Sequence, residues 1–435
     1  MNLGAAWRDY RQTIAAFSRP ARLFLLAMLF SWAGYGVNQV LYNLLLVEAG
    51  FQEGFVGRTV AINGLGLALA ALPAGWLAER RGRRWCLLLG AAVFGSGHLL
   101  RATVLWPTTI YAGSFLAGVG QALTAIAAAP FLTEHSTPRE RTHLFSAFFA
   151  AELLAAVVGS LLGGWLPSAL VNLPASSRPG LLDAYRVTIV LGALLDFSSI
   201  IPLRHLPRER SVLSGQAQAP ITRAERRMLM PIAVNAFLIG VGAGLVIPFM
   251  NLYFKIRFDC SSAQIGMFFS IAQVGTALAM LVGPVVARRF GKLRTAVTCQ
   301  LLSLPFLVTL GFERHLALAV GVFWVRAALM QASTPLVGAF VMETVPPALR
   351  ARSASFTNLL WNLGWAASAT LAGLVIEHFG YAVPFYMTAA LYGSAALWFF
   401  FNFRRVREPL LGSSDDPTRL SEEAKGLRGE GPTTE

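Results

Sequence analysis

The chain has 435 residues, of which 55% are hydrophobic and only 13% are charged, with a formal net charge of +14. Soluble domains carry about 25% charged residues, so this composition excludes an ordinary soluble protein and is typical of an integral membrane protein. Its three cysteines lie far apart in the sequence, and we expect neither a disulfide framework nor a metal site.

Twelve apolar segments follow one another along the chain, each long enough to cross a bilayer as a helix of roughly 20 residues. They are expected to be helices, because backbone in contact with lipid has to satisfy its own hydrogen bonds. The sequence therefore predicts an all-α integral membrane protein. The predicted spans are 21–47, 56–79, 85–105, 108–133, 144–167, 185–203, 228–254, 263–287, 295–312, 316–343, 353–376 and 381–403.

Lys and Arg residues alternate between the loops. Most of the 36 lie before the first span, after an even-numbered span or after the last one. Basic residues near span ends stay on the cytoplasmic side, which predicts that both termini are cytoplasmic in a multi-pass protein of the plasma (cell inner) membrane. This distribution argues against nucleic acid as a partner. The basic residues outside the pattern are Arg58, Arg101, Arg178, Arg186, Lys255, Arg257, Arg314 and Arg326.

The same pattern divides the chain into five parts. Residues 1–20 form a cytoplasmic segment, 21–203 a first six-helix bundle, 204–227 a cytoplasmic linker and 228–404 a second six-helix bundle. Residues 405–435 are polar and have no apolar period, so we predict a disordered cytoplasmic tail.

The two predicted bundles repeat each other. Four landmarks recur in the same order at offsets of 208 to 210 residues, pairing Asn43 with Asn251, Gly57 with Gly266, Gly82 with Gly291, and Gln121 with Gln331. A repeat with an even number of spans enters the membrane in the same direction twice, which gives parallel halves about an axis along the membrane normal. We therefore expect two pseudo-symmetric six-helix bundles with a solute path between them.

The loop between the second and third spans carries a family signature. It runs Gly75, Leu77, Ala78, Glu79, Arg80, Gly82, Arg83 and Arg84, and a degenerate copy follows at Arg288, Arg289, Gly291, Lys292 and Arg294. The loop resembles the signature of the major facilitator superfamily, with Glu79 in place of the family's aspartate. The resemblance covers about residues 20 to 405 and implies a secondary transporter that works by alternating access.

By this resemblance the loop latches the two halves together on the cytoplasmic side. Glu79 would then lie beside the start of the eleventh span, near Arg352 and Ser353, where the helix amino terminus favours a carboxylate. Arg83 would reach Glu134 at the inner end of the fourth span. Our hypothesis is that these contacts stabilise the state closed to the cytoplasm.

Three ionisable residues are predicted in the middle of a span, where charge is costly and usually functional. Glu152 is the first candidate for a proton-coupling carboxylate, and an ion pair between Glu152 and Arg326 is the structural alternative. Asp196 is the second coupling candidate. The sixth span is peripheral in the family, however, and a local helix contact is the favoured interpretation of Asp196.

A mostly uncharged set of polar and aromatic residues lies on spans that line the family's central cavity. Such a lining favours neutral, amphipathic or lipophilic solutes over phosphates and polyanions. Membrane amides also bond helix to helix, and membrane aromatics also pack or face lipid, which is the alternative for each residue. The candidate lining residues are Asn38, Tyr42, Asn43, Gln121, Asn235, Asn251, Arg326, Gln331, Asn358, Trp361 and Asn362.

The fifth span contains GSLLGG, Gly159 to Gly164, which resembles the family's antiporter signature with Ser160 in place of proline. The fourth span has Ser114 where the family carries an arginine linked with proton coupling. Both substitutions weaken the case for a standard proton antiporter, and small residues at this spacing also form packing seams.

The leading prediction is a secondary transporter that exports hydrophobic or amphipathic small molecules with a proton or sodium gradient, as a monomer in membrane lipid and without a cofactor. Uptake of a neutral solute such as a sugar is the alternative. Dispersed histidines and the lack of a phosphate-binding loop argue against a membrane enzyme or direct use of ATP. A transport-dead sensor would carry an added soluble domain, and neither the linker nor the tail is large enough for one.

Overall fold

The computed structural model describes residues 17–174, 179–208 and 223–406, and twelve helices within these ranges are long and apolar enough to span a membrane. The predicted all-α, twelve-helix fold is confirmed. The helices are α1 (Arg19–Glu48), α2 (Glu53–Arg81), α3 (Arg83–Thr103), α4 (Pro107–Glu134), α5 (Pro138–Val171), α6 (Leu181–Ser198), α7 (Arg223–Val246 and Met250–Phe258), α8 (Ser262–Phe290), α9 (Lys292–Phe312), α10 (Leu316–Thr344), α11 (Pro347–Phe379) and α12 (Ala382–Phe403).

Most helices extend past the apolar segments predicted for them. α5 begins at Pro138 rather than at 144, and α11 begins at Pro347 rather than at 353. Proline is favoured in the first turn of a helix, where its missing N–H costs nothing, so these helices start in polar sequence before the apolar run. The described residues exclude 1–16, 175–178, 209–222 and everything from 407 onward. Most of the predicted linker and almost all of the predicted tail therefore lie outside them.

α7 is interrupted about two thirds of the way along its length. A single 3₁₀ turn, Ile247–Phe249, separates its two α-helical parts and contains Pro248. Proline cannot donate the helical hydrogen bond and clashes with the preceding turn, so the chain bends here. The carbonyl of Pro248 accepts a hydrogen bond from Asn43 Nδ2 in α1 at 2.5 Å, and the N–H of Leu252 donates to the side chain of Asn251.

The first half, α1–α6, and the second half, α7–α12, repeat each other in their contacts as well as in sequence. Asn251 Nδ2 donates to the carbonyl of Val40 at 3.0 Å, just as Asn43 donates to that of Pro248. Each carbonyl lies three residues before the asparagine of its own half. The contact is therefore two-fold symmetric, and its symmetry axis passes between α1 and α7.

The turns between α2 and α3 and between α8 and α9 form a second repeated feature. Gly82 and Gly291 both have positive φ angles, 90° and 86°. Glycine tolerates this conformation, and it lets two long helices follow each other without a loop. Arg83 pairs with Glu134 in the first half, and Lys292 pairs with Glu343 at the matching place in the second.

The halves touch along two seams. In one, Gly57 of α2 packs against Gly373 of α11, and in the other, Gly266 of α8 packs against Gly164 of α5. Glycines allow helix backbones to approach closely, which drives association inside a membrane. Both seams lie toward those helix ends whose connecting loops carry few basic residues. We call this side the opposite face, and the side of the basic loops the basic face.

Toward the basic face the seams open. A side chain added at Gly75, in the last third of α2, would meet nothing within 4 Å, and the same holds at Gly275 in the middle of α8. Leu72 of α2 and Leu281 of α8 occupy matching positions of the repeat and are 86% and 72% exposed. The halves are therefore in contact on the opposite face and separated on the basic face.

Candidate functional site

A cavity of about 290 Å³ lies between the two halves. α1, α2, α3 and α4 supply its first wall, and α7, α8 and α11 supply the second. Residues of the first half that line it are mostly polar, whereas the second half contributes several large aromatic rings. The lining residues include Tyr35, Asn38, Gln39, Tyr42, Asn43, Thr59, Asn63, His98, Arg101, Gln121, Asn251, Phe269, Trp361, Asn362 and Trp365.

A second space of about 180 Å³ shares Tyr35, Phe94 and Gln121 with the first. It is lined by residues of α1, α3, α4 and α5, and Met28 and Ala128 place it nearer the basic face. The cavity between the halves thus continues toward the face where the halves are separated.

Seven of the eleven residues proposed from sequence to line a cavity are brought together around the larger space. They are Asn38, Tyr42, Asn43, Gln121, Asn251, Trp361 and Asn362. Proximity to the cavity is a finding, and contact with a solute remains a prediction for each of them.

The other four candidates lie outside this cavity. Asn235 donates from Nδ2 to the carbonyl of Ala395 at 3.0 Å, so its amide joins α7 to α12. Arg326 is buried in the second half, where its Nη2 lies 3.5 Å from the hydroxyl of Tyr392. Gln331 and Asn358 are exposed. For Asn235 the helix-to-helix interpretation considered above is the one that fits.

The first half contains a charged cluster at the edge of the cavity. Arg101 Nη2 donates to Asn38 Oδ1 at 3.1 Å, and its guanidinium carbon lies 3.8 Å from the centre of the Tyr42 ring. Asn38 Nδ2 lies 3.0 Å from His98 Nδ1. The same imidazole nitrogen lies 2.7 Å from Asp196 Oδ2. A carboxylate in α6 is therefore connected to a guanidinium in the cavity wall through two side chains.

This cluster is buried throughout. Asp196 is fully buried and His98 is 2% exposed, and Asp196 Oδ1 has no hydrogen-bond partner among the described residues. The predicted local helix contact of Asp196 is the bond to His98 of α3. Asp196 does not line the cavity itself but is bonded to His98, which does, and its proposed role in coupling stays a prediction.

Sequence reasoning missed Arg101 and His98. The sequence places Arg101 near the end of the predicted span 85–105, among the basic residues outside the alternating pattern, whereas the structure buries its side chain near the end of α3. The spacing of three residues between His98 and Arg101 puts both on one face of α3, and an ionisable pair on one face of an apolar helix is the signal that would have found them. The lining is mostly uncharged, as expected, with Arg101 and His98 as its ionisable exceptions.

Glu152 and Arg326 do not pair. The five ion pairs within 4.0 Å among the described residues involve neither of them. Glu152 lies half-buried on α5, one helical turn after Phe148, which lines the smaller space near the basic face. The ion-pair interpretation of these two residues is therefore wrong in this state.

The GSLLGG segment of α5 forms part of the seam between halves. Gly159 packs against Ala33 of α1, and Gly164 packs against Gly266 of α8. Ser160, the residue in the place of the family's proline, is fully buried and accepts a hydrogen bond from Gln273 Nε2 of α8 at 3.1 Å. The segment thus joins α1, α5 and α8.

Two more hydrogen bonds run along the same seam. Ser262 Oγ donates to the carbonyl of Gly164 at 2.9 Å, and Ser270 Oγ donates to that of Val157 at 3.2 Å. Both serines lie on the face of α8 that also presents Gln273. This polar stripe holds the halves together on the opposite face.

The signature loop lies on the basic face. Arg83 Nη2 is 3.3 Å from Glu134 Oε1, so the pair expected from the sequence is present in the structure. Arg84 Nη2 donates to the carbonyl of Arg204 at 2.6 Å, which ties the loop to the end of the first half. Ser353, at the start of α11, is buried, and its hydroxyl has no hydrogen-bond partner among the described residues. The role of these residues in gating stays a prediction.

Two like-oriented bundles of six helices around a central cavity define a membrane transporter of the parallel-repeat class. Residues 23–229 and 232–431 match the profile of the Major Facilitator Superfamily, and the chain belongs to this superfamily. The resemblance noted in the sequence is confirmed.

Three curated relatives are similar to part of the chain. The methylenomycin A resistance protein of Bacillus subtilis (strain 168) is 28% identical over 179 residues, covering 38% of this chain and 37% of the relative. The niacin transporter NiaP of Acinetobacter baylyi is 22% identical over 191 residues, covering 44% and 42%. The multidrug resistance protein MdtL of Salmonella paratyphi C is 24% identical over 216 residues, covering 49% and 54%. The chain thus spans about half or less of the length of these relatives.

Solved structures match over nearly the whole chain. The nucleoside transporter NupG has a TM-score of 0.71 at 14% identity, covering 89% of this chain and 100% of that one. A bacterial homolog of the human lysosomal transporter Spinster, in an inward-facing and occupied conformation, has a TM-score of 0.71 at 14% identity, covering 91% and 97%. At this identity the likeness shows the fold alone.

Proposed function

We propose that the protein exports amphipathic or hydrophobic small molecules by alternating access, using an ion gradient. The observation that carries the proposal is the cavity of about 290 Å³ between two pseudo-symmetric halves that touch on one face and separate on the other. Rocking of like-oriented halves about a fixed midplane site would expose such a cavity to each side in turn.

The cavity chemistry fits an amphipathic solute. Trp361 and Trp365 of α11 stack with ring centroids 5.1 Å apart and an interplanar angle of 29°, and Phe269 of α8 adds a third ring. Across the cavity, α1 presents the amides of Asn38 and Asn43. A solute with an apolar body and a polar end can satisfy both walls at once.

Export agrees with the orientation that the basic loops predict. If the basic face is cytoplasmic, with both termini on that side, the structure is the state that loads from the cytoplasm of a cell whose plasma membrane holds the protein. In the other state the signature loop would close this face, with Glu79 near Arg352 and Ser353. One chain contains the whole repeat and its cavity, which supports a monomer as the working unit.

Glu152 remains our first candidate for the coupling site. It is an ionisable residue within α5 with no ion pair among the described residues, close to the space that leads toward the basic face. A carboxylate in such a place can bind and release a proton or sodium ion as the halves move. Asp196 is the second candidate because it is linked to the cavity through His98.

Relatives support export without deciding the solute. MdtL and the methylenomycin A resistance protein carry resistance in their names, whereas NiaP is named a niacin transporter. Uptake of a neutral solute such as a sugar is the second candidate, favoured by the amides of Asn38, Asn43, Asn251 and Asn362 around the cavity. Amide groups can donate to and accept from hydroxyls.

Proteoliposomes separate the two candidates. Purified protein is reconstituted, and the movement of an amphipathic fluorescent dye and of a radiolabelled sugar is followed with and without an imposed pH or sodium gradient. The proposal predicts gradient-dependent movement of the dye. Gradient-dependent movement of the sugar alone would favour uptake, and movement of neither would contradict both.

A further inference from the structure

Arg101 is a buried positive charge in the wall of the cavity. Its side chain is 7% exposed and lines the cavity between the halves. Nη2 has Asn38 as a hydrogen-bond partner, but Nε is buried and has none among the described residues. A buried guanidinium with an unsatisfied donor is costly unless something completes its hydrogen bonds.

Pairing with Asp196 does not explain this arginine. The Asp196 carboxylate bonds to His98, and no ion pair within 4.0 Å joins it to Arg101. Asn38 and His98 lie between the two charges. No carboxylate among the described residues therefore lies within ion-pair distance of the guanidinium, although Arg101 lines the cavity.

The fold that the two halves share does not require ionisable residues at the positions of His98 and Arg101 either. The positions that match His98 and Arg101 in the second half are Leu307 and Leu310, and both leucines are fully buried. Apolar packing therefore serves this position in one half, while the other half carries an ionisable pair. The difference between the two halves coincides with the polar wall of the cavity.

We propose that Arg101 is a subsite for a carboxylate group of the transported solute. A guanidinium binds a carboxylate through charge-assisted hydrogen bonds with a geometry that a neutral amide cannot reproduce. The facing aromatic wall, with Trp361 and Trp365 stacked, accommodates a planar ring. The solute class is a small amphipathic monocarboxylate with one or two rings, since drug-sized ligands occupy pockets of about 300 Å³ and upward.

This inference rests on the proposed function only in assuming that the cavity takes up the solute. Equilibrium binding tests it without transport. Protein in lipid nanodiscs is titrated with 1-naphthoate and with 1-naphthamide, which share a ring system and differ in charge. We expect the acid to bind at least about tenfold more tightly, a difference of about 1.4 kcal/mol, because only the acid forms charge-assisted hydrogen bonds with the guanidinium.

Three variants test whether Arg101 causes the preference for the acid over the amide. Arg101→Gln should abolish the difference between acid and amide while amide binding is retained. Arg101→Lys should keep part of the difference, because the charge remains and the planar fork is lost. Arg326→Gln removes a buried arginine that lies outside the cavity and should leave the preference unchanged.

Equal binding of the two compounds by the native protein, or binding of neither, would overturn the inference. A preference for the acid that survives in Arg101→Gln would overturn it as well. If Arg101→Gln does not fold, the ratio of acid affinity to amide affinity in the native protein and in Arg101→Lys still tests the inference. Acid-selective binding without transport in proteoliposomes would instead count against the proposed function, and transport of the dye without acid selectivity would count against this inference alone.

Discussion

Asp196 Oδ2 lies 2.7 Å from His98 Nδ1, and Asn38 Nδ2 approaches the same ring nitrogen at 3.0 Å. One nitrogen cannot donate a proton to Asp196 and accept one from Asn38 at the same time. If the ring nitrogen is protonated, it donates to Asp196 and Asn38 must give up its contact; if Asp196 holds the proton, Asp196 and Asn38 compete as donors for the single lone pair of that nitrogen. Asn38 also holds Arg101, so the position of this proton is linked to the cavity wall.

The bond between His98 and Asp196 should be a strong one. A double-mutant cycle with His98→Gln and Asp196→Asn is expected to give a coupling energy of about 0.6–1.7 kcal/mol, the span from the average to the maximum found by such cycles in a membrane protein. Unfolding in mixed detergent micelles supplies the four free energies. As a matched control, Asp183→Asn removes a carboxylate that is largely exposed in its pair with Arg186, and it should change stability by less than about 1 kcal/mol. Coupling near zero would show that the buried contact is not formed.

Glu152→Gln should abolish the response of transport to an imposed ion gradient while facilitated equilibration of the dye persists. The substitution removes the exchangeable charge and keeps the size of the side chain. Proteoliposome flux measured with and without the gradient provides the check. Glu140→Gln, at the start of the same helix, is the matched control and should respond as the native protein does. An unaltered gradient response in Glu152→Gln would remove this residue from the coupling mechanism.

Gly164→Val should disfavour the state closed on the opposite face. A Cβ at this position would lie 2.7 Å from the carbonyl oxygen of Ser262 and 3.0 Å from the Cα of Gly266, and both are backbone atoms that cannot move aside. Spin labels at Leu72 and Leu281 report on the separation of the halves on the basic face. We expect shorter distances between the labels in Gly164→Val and unchanged ones in Gly275→Val, where a Cβ meets nothing.

The pair of Arg83 and Glu134 should matter for state populations more than for stability. Both side chains are partly exposed, 24% and 45%, and such a pair contributes about 0–1 kcal/mol. Glu134→Arg and Arg83→Glu are each expected to change the transport rate, and the double exchange should restore it. Identical rates in all four proteins, together with an unaltered rate in Glu79→Gln, would contradict a latch in this loop.

The sequence predicted the number of helices and the repeat of the two halves because both depend on local and repeated patterns. Apolar length set the number of spans, and the repeat paired Asn43 with Asn251, whose side chains meet at 3.2 Å. Boundaries were less predictable because helices such as α5 continue into polar sequence beyond the apolar run. The break in α7 at Pro248 left no gap in the apolar pattern.

The site was only partly predictable because its main feature depends on how neighbouring helices pack. The sequence shows that Arg101 lies near the end of an apolar span. Only the packing of α3 against α1 buries its side chain beside Asn38. Asn235 has the same residue type as Asn38, yet it faces Ala395 in its own half. Which face of a helix meets the cavity is a tertiary property that residue type alone does not determine.

The central claim is that transport requires the halves to separate on the opposite face. Ser168 Oγ and Ser262 Oγ lie 3.4 Å apart across the seam, so cysteines substituted at both positions would bring two sulfur atoms together across it. In a background with Cys86, Cys260 and Cys299 replaced, we predict that oxidation of Ser168→Cys/Ser262→Cys stops transport and that reduction restores it, while each single variant is insensitive to oxidation. Transport at the native rate with the crosslink fully formed would contradict alternating access in this protein.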